Sequence, residues 1–252
     1  MKRRAFLKGL GAMALCPLCA GPGFAADGGH QHLWSYEGDS GPDRWGALSP
    51  DNATCSVGAQ QSPIDISGAI DADLPQLVIG WEPGTGTLVN NGHTIQCDLA
   101  AGGTLTRGDR SYRLVQFHLH APGEHTVDGK HFPMEAHFVH KDDAGGLAVL
   151  GVFLVPGAAN AVYGALASAF PQKAGETAAI DIDPRGLLPG ELKYWAYRGS
   201  LTTPPCSEIV EWMVLKAPLE VAEQDIARFT SLYPMNARPT LAGNRRFILS
   251  SR

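Results

Sequence analysis

Short runs of alternating hydrophobic and polar residues recur from about residue 77 to residue 215, with glycine- and proline-rich stretches between them. Successive side chains of a β-strand point to opposite faces of its sheet, so this alternation predicts strands. The predicted strands cover residues 77–81, 93–99, 112–120, 132–140, 147–155, 194–197 and 208–215. The run 147–154 is hydrophobic in both phases, which indicates a central strand covered on both faces.

Helical patterns are few, and residues 160–170 and 222–233 are the two segments that predict helices. Residues 36–65 are rich in glycine, proline, serine and aspartate, and they predict an ordered loop anchored by Trp34 and Trp45. No internal repeat and no linker-like change of composition divides the chain. The predicted fold is mainly β: a single domain around a large, mostly antiparallel twisted central sheet with a few short helices.

The first 25 residues form a separate pattern. Arg3 and Arg4 precede an apolar run at residues 9–20, and small residues follow it up to Ala25. This order predicts a cleaved export signal at residues 1–25, and the paired arginines resemble the twin-arginine type, with a general secretory signal as the alternative. The expected location is therefore periplasmic. No later stretch of about 18 apolar residues predicts a membrane span.

The charge balance limits the class of partner. The chain has 20 basic and 25 acidic residues, and removing residues 1–25 takes away four basic residues and no acidic one, which leaves a net charge of −9. An acidic surface argues against nucleic acid as a partner and leaves a small molecule as the expected one.

Three cysteines remain after the predicted cleavage: Cys55, Cys97 and Cys206. Cys97 alternates with Ile95 and Leu99, which predicts a buried thiol. The pair that is left, Cys55 and Cys206, is the predicted disulfide in an oxidising compartment. If the protein is exported already folded, this bridge closes late and is expected near the surface.

Histidines follow the alternation on two consecutive predicted strands. On residues 112–120, His118 and His120 share a face with Gln116, while Val115, Phe117 and Leu119 are expected on the opposite, core-facing side. On residues 132–140, His137 shares a face with Glu135 and Val139, and His140 points away from it. The connection at residues 121–131 is long enough for the two strands to pair antiparallel.

Three imidazoles that converge from neighbouring strands predict a zinc site with an open fourth position, which is typical of catalytic zinc. Gln116 and Glu135 each lie two residues before a ligand on the same face, where they can accept the other ring N–H and fix its orientation. Spacing alone leaves cupins and other β-barrel metalloproteins open as alternatives.

Five further segments occur in a fixed order: Gln-Ser-Pro-Ile-Asp-Ile at 61–66, Asn-Asn-Gly-His at 90–93, Gln-Phe-His-Leu-His at 116–120, Glu-His-Thr-Val at 124–127 and Tyr-Arg-Gly-Ser-Leu-Thr-Thr-Pro-Pro at 197–205. Together they resemble an α-class carbonic anhydrase of the bacterial, exported type, over nearly all of residues 30–250. The resemblance assigns residues 26–252 to one such domain. It implies Zn²⁺ as the cofactor and reversible hydration of carbon dioxide to bicarbonate and a proton by zinc-bound hydroxide.

The resemblance also implies roles for individual residues. His118, His120 and His137 would bind zinc, with Gln116, Glu135 and the carbonyl of Asn236 as their outer partners. Thr202 would accept a hydrogen bond from the hydroxide and donate to Glu124, while His93 would carry the released proton to solvent. The remaining implied site residues are Tyr36, Asn91 and Gln96 along the proton path, Val139, Val149, Leu201, Val210 and Trp212 on an apolar wall for carbon dioxide, and Thr203 beside bicarbonate.

Some features leave alternatives open. A non-catalytic binding protein on the same fold and a zinc-handling protein remain rivals, and a homodimer remains open because dimers are common among bacterial relatives. Only three residues separate His120 from Glu124, as in the bacterial branch of the family. Gln96 stands where many relatives have a shorter amide. The other histidines are expected to be structural, at the surface or near the terminus: His30, His32, His125, His131 and His140.

Overall fold

The computed structural model describes residues 34–100 and 102–252. The predicted export signal at residues 1–25, together with His30 and His32, lies outside these residues. Within them the strands are β1 (Asp65–Ile66), β2 (Ile70–Ala72), β3 (Leu77–Gly80), β4 (Gly84–Asn90), β5 (Ile95–Leu99), β6 (Thr104–Arg107), β7 (Arg110–His120), β8 (Thr126–Val127), β9 (Lys130–His131), β10 (Met134–Lys141), β11 (Leu147–Pro156), β12 (Thr177–Ile182), β13 (Tyr194–Gly199), β14 (Val210–Leu215), β15 (Leu219–Val221) and β16 (Leu249–Ser251).

The helices are α1 (Trp45–Leu48), α2 (Thr54–Val57), α3 (Ala161–Ser168) and α4 (Glu223–Leu232), with short 3-10 helices at Gly38–Ser40, Pro42–Arg44, Pro50–Asn52 and Pro184–Leu187. The two predicted helices are confirmed as α3 and α4. The Asn160 side chain accepts a hydrogen bond from the backbone N–H of Tyr163 at 2.8 Å, which fixes the start of α3. Among the described residues, no helix is long and apolar enough to cross a membrane.

One large sheet organises the molecule. Its main path runs β12-β4-β5-β7-β10-β11-β14-β13-β16-β2, with β15 beside β11 and the β3–β6 pair beside β7. Neighbours are antiparallel except at β11–β14, β11–β15 and β16–β2. The predicted mainly β, mostly antiparallel fold is therefore confirmed. A small second sheet contains β1, β8 and β9.

Hydrophobic residues cover both faces of the sheet centre. The larger core, on one face, includes Phe117, Leu119, Phe138 and Leu166 of α3. A smaller cluster on the other face includes Val149 and further residues of β11 and β14. β11 is buried along nearly its whole length, as its two-phase hydrophobic pattern predicts.

β7 departs from the predicted alternation at one position. Val139 of β10 pairs with Gln116, but the next residue, His140, pairs with Leu114, so Val115 is an extra residue in a β-bulge. Tyr112 and Leu114 are buried before the bulge, and the phase then changes. Val115 is 37% exposed, so its predicted place on the core face with Phe117 and Leu119 is wrong.

Cys55 and Cys206 form the predicted disulfide, and Cys97 is a buried free thiol. The bridge itself is buried, with Cys206 fully enclosed, so the expectation that it lies near the surface is not met. The reason is a small aromatic cluster that packs on the bridge and contains Trp45, with Trp34 and Tyr36 beside it.

Candidate metal centre and its surroundings

β7 and β10 bring the three predicted ligands together. His137 lies directly opposite His118 in the antiparallel register, and His120 lies opposite Glu135. The bulge at Val115 makes this possible, because it reverses the phase of β7 and turns His118 and His120 away from the face that buries Leu114. One donor atom from each of the three histidines lies within 4.8 Å of those of the other two.

One nitrogen of each imidazole is held by an atom that can only accept a hydrogen bond. The Nδ1 of His118 donates to the Gln116 side-chain oxygen at 2.9 Å, and the Nδ1 of His120 donates to the Asn236 carbonyl at 2.7 Å. The Nε2 of His137 donates to Glu135 Oε1 at 2.9 Å. The opposite nitrogen of each ring is thereby left without a proton and turned toward its neighbours, as metal ligation requires.

The donor set fits a zinc ion. His120 is 1% exposed, and its Nε2 has no hydrogen-bond partner among the described residues. A buried imidazole nitrogen without a partner is unfavourable unless something else binds it. Three imidazole nitrogens are also the donor set that zinc prefers at a catalytic site.

Burial and nearby charges set the ionisation of the cluster. Burial, reinforced by the two neighbouring histidines, lowers the pKa of His118 well below its usual value, and burial also lowers the pKa of His120. Burial would lower the pKa of His137 too, but the Glu135 carboxylate outweighs it and raises that pKa. Burial would raise the pKa of Glu135, but the electrostatic interactions and hydrogen bonds with His125 and His137 outweigh it and hold that pKa well below its usual value.

A second buried histidine supports Glu135 from behind. His125 donates its backbone N–H to Glu135 Oε2 at 2.9 Å and its Nδ1–H to Oε1 at 2.7 Å. Its Nε2 lies 2.6 Å from the hydroxyl of Tyr197, which in turn lies 3.0 Å from Ser62 Oγ. These are hydrogen-bond distances, so His125, Glu135 and His137 form a hydrogen-bonded network rather than a second metal site. The structural role predicted for His125 is therefore to hold the Glu135 carboxylate in place.

Gly151 leaves room for this network. It lies opposite His137 on β11, and a Cβ at this position would approach Glu135 Oε1 to 2.8 Å. A larger residue would displace the carboxylate that orients His137.

Glu124 lies beside the cluster, with Oε1 3.6 Å from His120 Nδ1 and Oε2 3.8 Å from His137 Nδ1. Its Oε1 accepts the backbone N–H of Arg238 at 2.8 Å, whereas its Oε2 is buried and has no hydrogen-bond partner among the described residues. The hydrogen bond expected from Thr202 is therefore not formed in this structure, although Thr202 is itself buried. The arginine that supports Glu124 is a site residue that sequence reasoning missed.

The five residues predicted to form an apolar wall belong to one hydrophobic cluster: Val139, Val149, Leu201, Val210 and Trp212. Val149 pairs with Val139 on one side and with Trp212 on the other, so these three form a row across β10, β11 and β14. The Trp212 ring lies 4.9 Å from the His137 ring. The wall therefore borders the histidine cluster.

A cavity of about 120 Å³ opens on the other side of the cluster, lined by Trp34, Tyr36, Asn91, His93, Thr94, Gln96, Gln116, His118, His120 and Thr203. His93 stacks on Trp34 with ring centres 3.6 Å apart. Burial, with contributions from Glu124 and Tyr233, raises the pKa of Tyr36 well above its usual value, so its hydroxyl stays protonated. Trp34 was predicted only as a loop anchor, and its place beside His93 follows from packing.

The sheet and its histidine cluster place the chain among mainly β proteins in which buried imidazoles from neighbouring strands could hold a metal ion. A family model for eukaryotic-type carbonic anhydrases matches residues 40–250, and the chain belongs to this family, the α-class carbonic anhydrases, which hydrate carbon dioxide with zinc. A carbonic anhydrase of Nostoc sp. is 41% identical over 226 residues, 86% of each chain. One of Klebsiella pneumoniae is 42% identical over 221 residues, 86% of this chain and 90% of that one.

The fold comparison agrees. The α-carbonic anhydrase of Thermovibrio ammonificans, solved with the inhibitor sulfanilamide, superposes with a TM-score of 0.85 at 41% identity. The match covers 88% of this chain and 100% of that one. The family predicted from the sequence is confirmed.

Proposed function

We propose that this chain hydrates carbon dioxide reversibly to bicarbonate and a proton, with zinc held by His118, His120 and His137 and with His93 as the proton shuttle. The observation that supports the ligand set best is the fixed orientation of the three rings. Each has one nitrogen tied to an acceptor, and the buried Nε2 of His120 has no protein partner.

Bound zinc would lower the pKa of a water ligand to about 7, a value known for carbonic anhydrases as a class, and so supply hydroxide at neutral pH. The chain contributes three neutral donors for this purpose. Gln116, Glu135 and the Asn236 carbonyl hold the rings in place, which keeps the donor atoms from turning away when the ion leaves or binds.

Thr202 and Glu124 would orient the attacking hydroxide. Glu124 Oε1 is held by the Arg238 backbone, and its Oε2 is available to accept. A threonine hydroxyl has one proton, so once Thr202 donates it to Glu124, its oxygen can only accept. It would then accept a hydrogen bond from the hydroxide and direct a lone pair of the hydroxide oxygen toward the substrate carbon.

Carbon dioxide has neither charge nor hydrogen-bond donors, so an apolar surface suits it better than a polar pocket. The row of Val139, Val149 and Trp212, with Val210 and Leu201 in the same cluster, provides that surface beside the histidines. Thr203, on the cavity side, would contact the bicarbonate product.

Each turnover releases a proton that must reach solvent. His93 lines the same cavity as His118 and His120, and an imidazole has an ordinary pKa of about 6.5, suited to accepting and releasing a proton near neutrality. Tyr36, Asn91 and Gln96 line the same cavity and would form the polar side of the proton path. Waters held by these groups would connect the histidine cluster with His93.

We also propose that the enzyme works in the periplasm after removal of residues 1–25. The buried Cys55–Cys206 bridge supports an oxidising location. Mass spectrometry of the protein from a periplasmic fraction should show a mature N-terminus near residue 26. Full-length protein confined to the cytoplasm would contradict this.

Metal analysis and stopped-flow carbon dioxide hydration test the ligand set. His118→Ala should lose most of its zinc and its hydration activity, while His131→Ala, at an exposed histidine on β9, should match the parent in both. Full activity of zinc-free His118→Ala would refute the proposal. Stoichiometric zinc without hydration in the parent protein would favour a zinc-handling protein, and neither zinc nor hydration would favour a non-catalytic binding protein.

The shuttle is tested separately. His93→Ala should lower kcat in dilute buffer and recover when imidazole is added, with kcat/KM for carbon dioxide unchanged, because proton release limits kcat alone. Unchanged kcat in dilute buffer would place the shuttle elsewhere.

A further inference from the structure

Two side-chain amides, those of Asn91 and Gln96, line the cavity that His93, His118 and His120 also line, and their orientations are set by their neighbours. Asn91 Oδ1 accepts the backbone N–H groups of His93 and Thr94, each at 2.9 Å. A backbone N–H can only donate, so the amide oxygen must face it. The end of Asn91 that remains for the cavity is therefore its NH₂ group, a donor.

Gln96 is oriented in the opposite sense. Its Nε2 donates to Asp98 Oδ1 at 2.6 Å, near the exposed rim of β5. A carboxylate can only accept, so the NH₂ end must face Asp98 and the carbonyl oxygen is left for the cavity. This wall thus presents one donor, from Asn91, and one acceptor, from Gln96.

The strand register explains how an exposed carboxylate reaches this wall. On β5, Gln96 pairs with the ligand His118, and Asp98 pairs with Gln116, the hydrogen-bond partner of that ligand. Residues two apart on a strand share a face, so Asp98 lies on the cluster side of the sheet but one pair farther out. Asp98 is exposed, and within the described part of the chain its side chain accepts its hydrogen bond from Gln96, so it acts through Gln96.

We propose that Asp98 is a positioning residue for proton transfer: it holds Gln96 with its oxygen toward the cavity, and so gives the wall a fixed donor–acceptor polarity. This inference rests on the proposed shuttle function of His93. Along a chain of waters that passes a proton, each water donates in the same direction, so wall groups of fixed polarity favour one orientation of the chain. If the Gln96 amide were reversed, its NH₂ group would face the cavity, and the wall would present two donors and no acceptor.

Asp98→Ala should lower kcat in dilute buffer by about two- to tenfold, the range expected from one oriented hydrogen bond, and imidazole should restore it. The kcat/KM for carbon dioxide should stay unchanged, whereas a general loss of structure would lower both. Asp181→Ala is the matched control: it removes an exposed carboxylate of the same sheet that accepts one side-chain hydrogen bond, from Thr85. This control should behave as the parent.

Asp98→Asn separates orientation from charge. Asparagine keeps an oxygen that can accept from Gln96 but removes the negative charge. If orientation matters, Asp98→Asn should remain within about twofold of the parent. A loss as large as that of Asp98→Ala would overturn the proposal and indicate that the charge itself attracts protons to the rim.

Two further measurements decide whether the effect passes through Gln96 and His93. In the zinc-free protein, the Gln96 side-chain NH₂ resonances should move to free-glutamine positions in Asp98→Ala, a change that does not depend on activity. In a double variant with His93→Ala, Asp98→Ala should add no further loss of kcat. Additive losses, or unmoved Gln96 resonances, would overturn the inference. If His93→Ala lowers kcat in dilute buffer and Asp98→Ala does not, the inference about Asp98 fails and the shuttle role of His93 stands. If His93→Ala leaves kcat unchanged, both proposals fail.

Discussion

His137 and His140 lie three residues apart on β10, both almost fully buried, on opposite faces of the sheet. His137 faces Glu135 and Glu124, and the Glu135 carboxylate raises its pKa against the effect of burial. His140 stacks on Trp81, its Nδ1 lies 3.3 Å from the Ala148 carbonyl, and burial lowers its pKa to about 3. The same residue type on the same strand therefore belongs to a polar cluster on one face and is a neutral core side chain on the other.

The comparison shows that burial alone does not make a site. Both faces contain a buried imidazole nitrogen that has no hydrogen-bond partner within residues 34–100 and 102–252, His120 Nε2 on one face and His140 Nε2 on the other. On the cluster face, carboxylates and neighbouring imidazoles surround that atom. On the core face, the other buried polar atom without a hydrogen-bond partner among the described residues is Trp81 Nε1, whose N–H is a donor and cannot bind a metal ion.

The largest effect is expected from removing the charge that distinguishes the faces. Glu135→Ala leaves three buried donors unpaired, namely His125 N–H, His125 Nδ1–H and His137 Nε2–H. We expect a loss of about 3–5 kcal/mol in the free energy of unfolding and about 10- to 100-fold in zinc affinity. Urea unfolding and chelator competition measure these two quantities. Exposed Glu82→Ala should change stability by less than about 0.5 kcal/mol, and a similar small loss for Glu135→Ala would contradict the account.

Zinc should stabilise the protein only through the cluster face. At about a thousandfold excess over its dissociation constant, a ligand adds about 4 kcal/mol to the free energy of unfolding. His118→Ala should lose most of this gain, and His140→Phe should retain it. Calorimetric melting of each variant, zinc-free and zinc-loaded, tests the difference. Loss of the zinc effect in His140→Phe would mean that the two faces are coupled.

Low pH should reveal the effect of burial on His140, on the core face of β10. His140 has a folded pKa of about 3 and an ordinary pKa of about 6.5 when unfolded, so between these values only the unfolded chain takes up the proton. Its contribution to stability is therefore complete above pH 6.5 and falls by about 1.4 kcal/mol per pH unit below it, about 2 kcal/mol by pH 5. In His140→Phe this part of the loss should vanish from zinc-free urea unfolding curves at pH 7 and pH 5. If the free energy of unfolding falls equally between pH 7 and pH 5 in the parent and in His140→Phe, burial does not keep His140 from taking up a proton.

Much of the cluster face follows from local pattern. Alternation places His118 with His120 and His137 with Glu135, and residues two apart on a strand share a face whatever the rest of the fold does. The outer partners Gln116 and Glu135 follow from the same rule. Hydrophobic alternation also predicts the main strands of the sheet.

What the sequence did not predict depends on contacts between distant residues. The Arg238 backbone meets Glu124 across 114 positions, and Tyr197 meets His125 across 72. No periodicity links such pairs. β4 was missed because its first residues alternate glycine with threonine, and Gly86 is needed there since a Cβ would lie 2.7 Å from Cys97 Sγ.

The bulge at Val115 gives the smallest expected effect and the clearest test of the phase change that separates the two faces. Strict alternation places Val115 in the core, where truncation would cost about 1–3 kcal/mol, yet the structure leaves it 37% exposed. We expect Val115→Ala to change the free energy of unfolding by less than about 0.5 kcal/mol and Leu114→Ala, next to it but buried, to lose about 2–5 kcal/mol. Urea unfolding of both variants measures the contrast. A large loss at Val115 would mean that β7 runs without the bulge, and an unbroken β7 would place His118 and His120 on the same face as Leu114, away from His137.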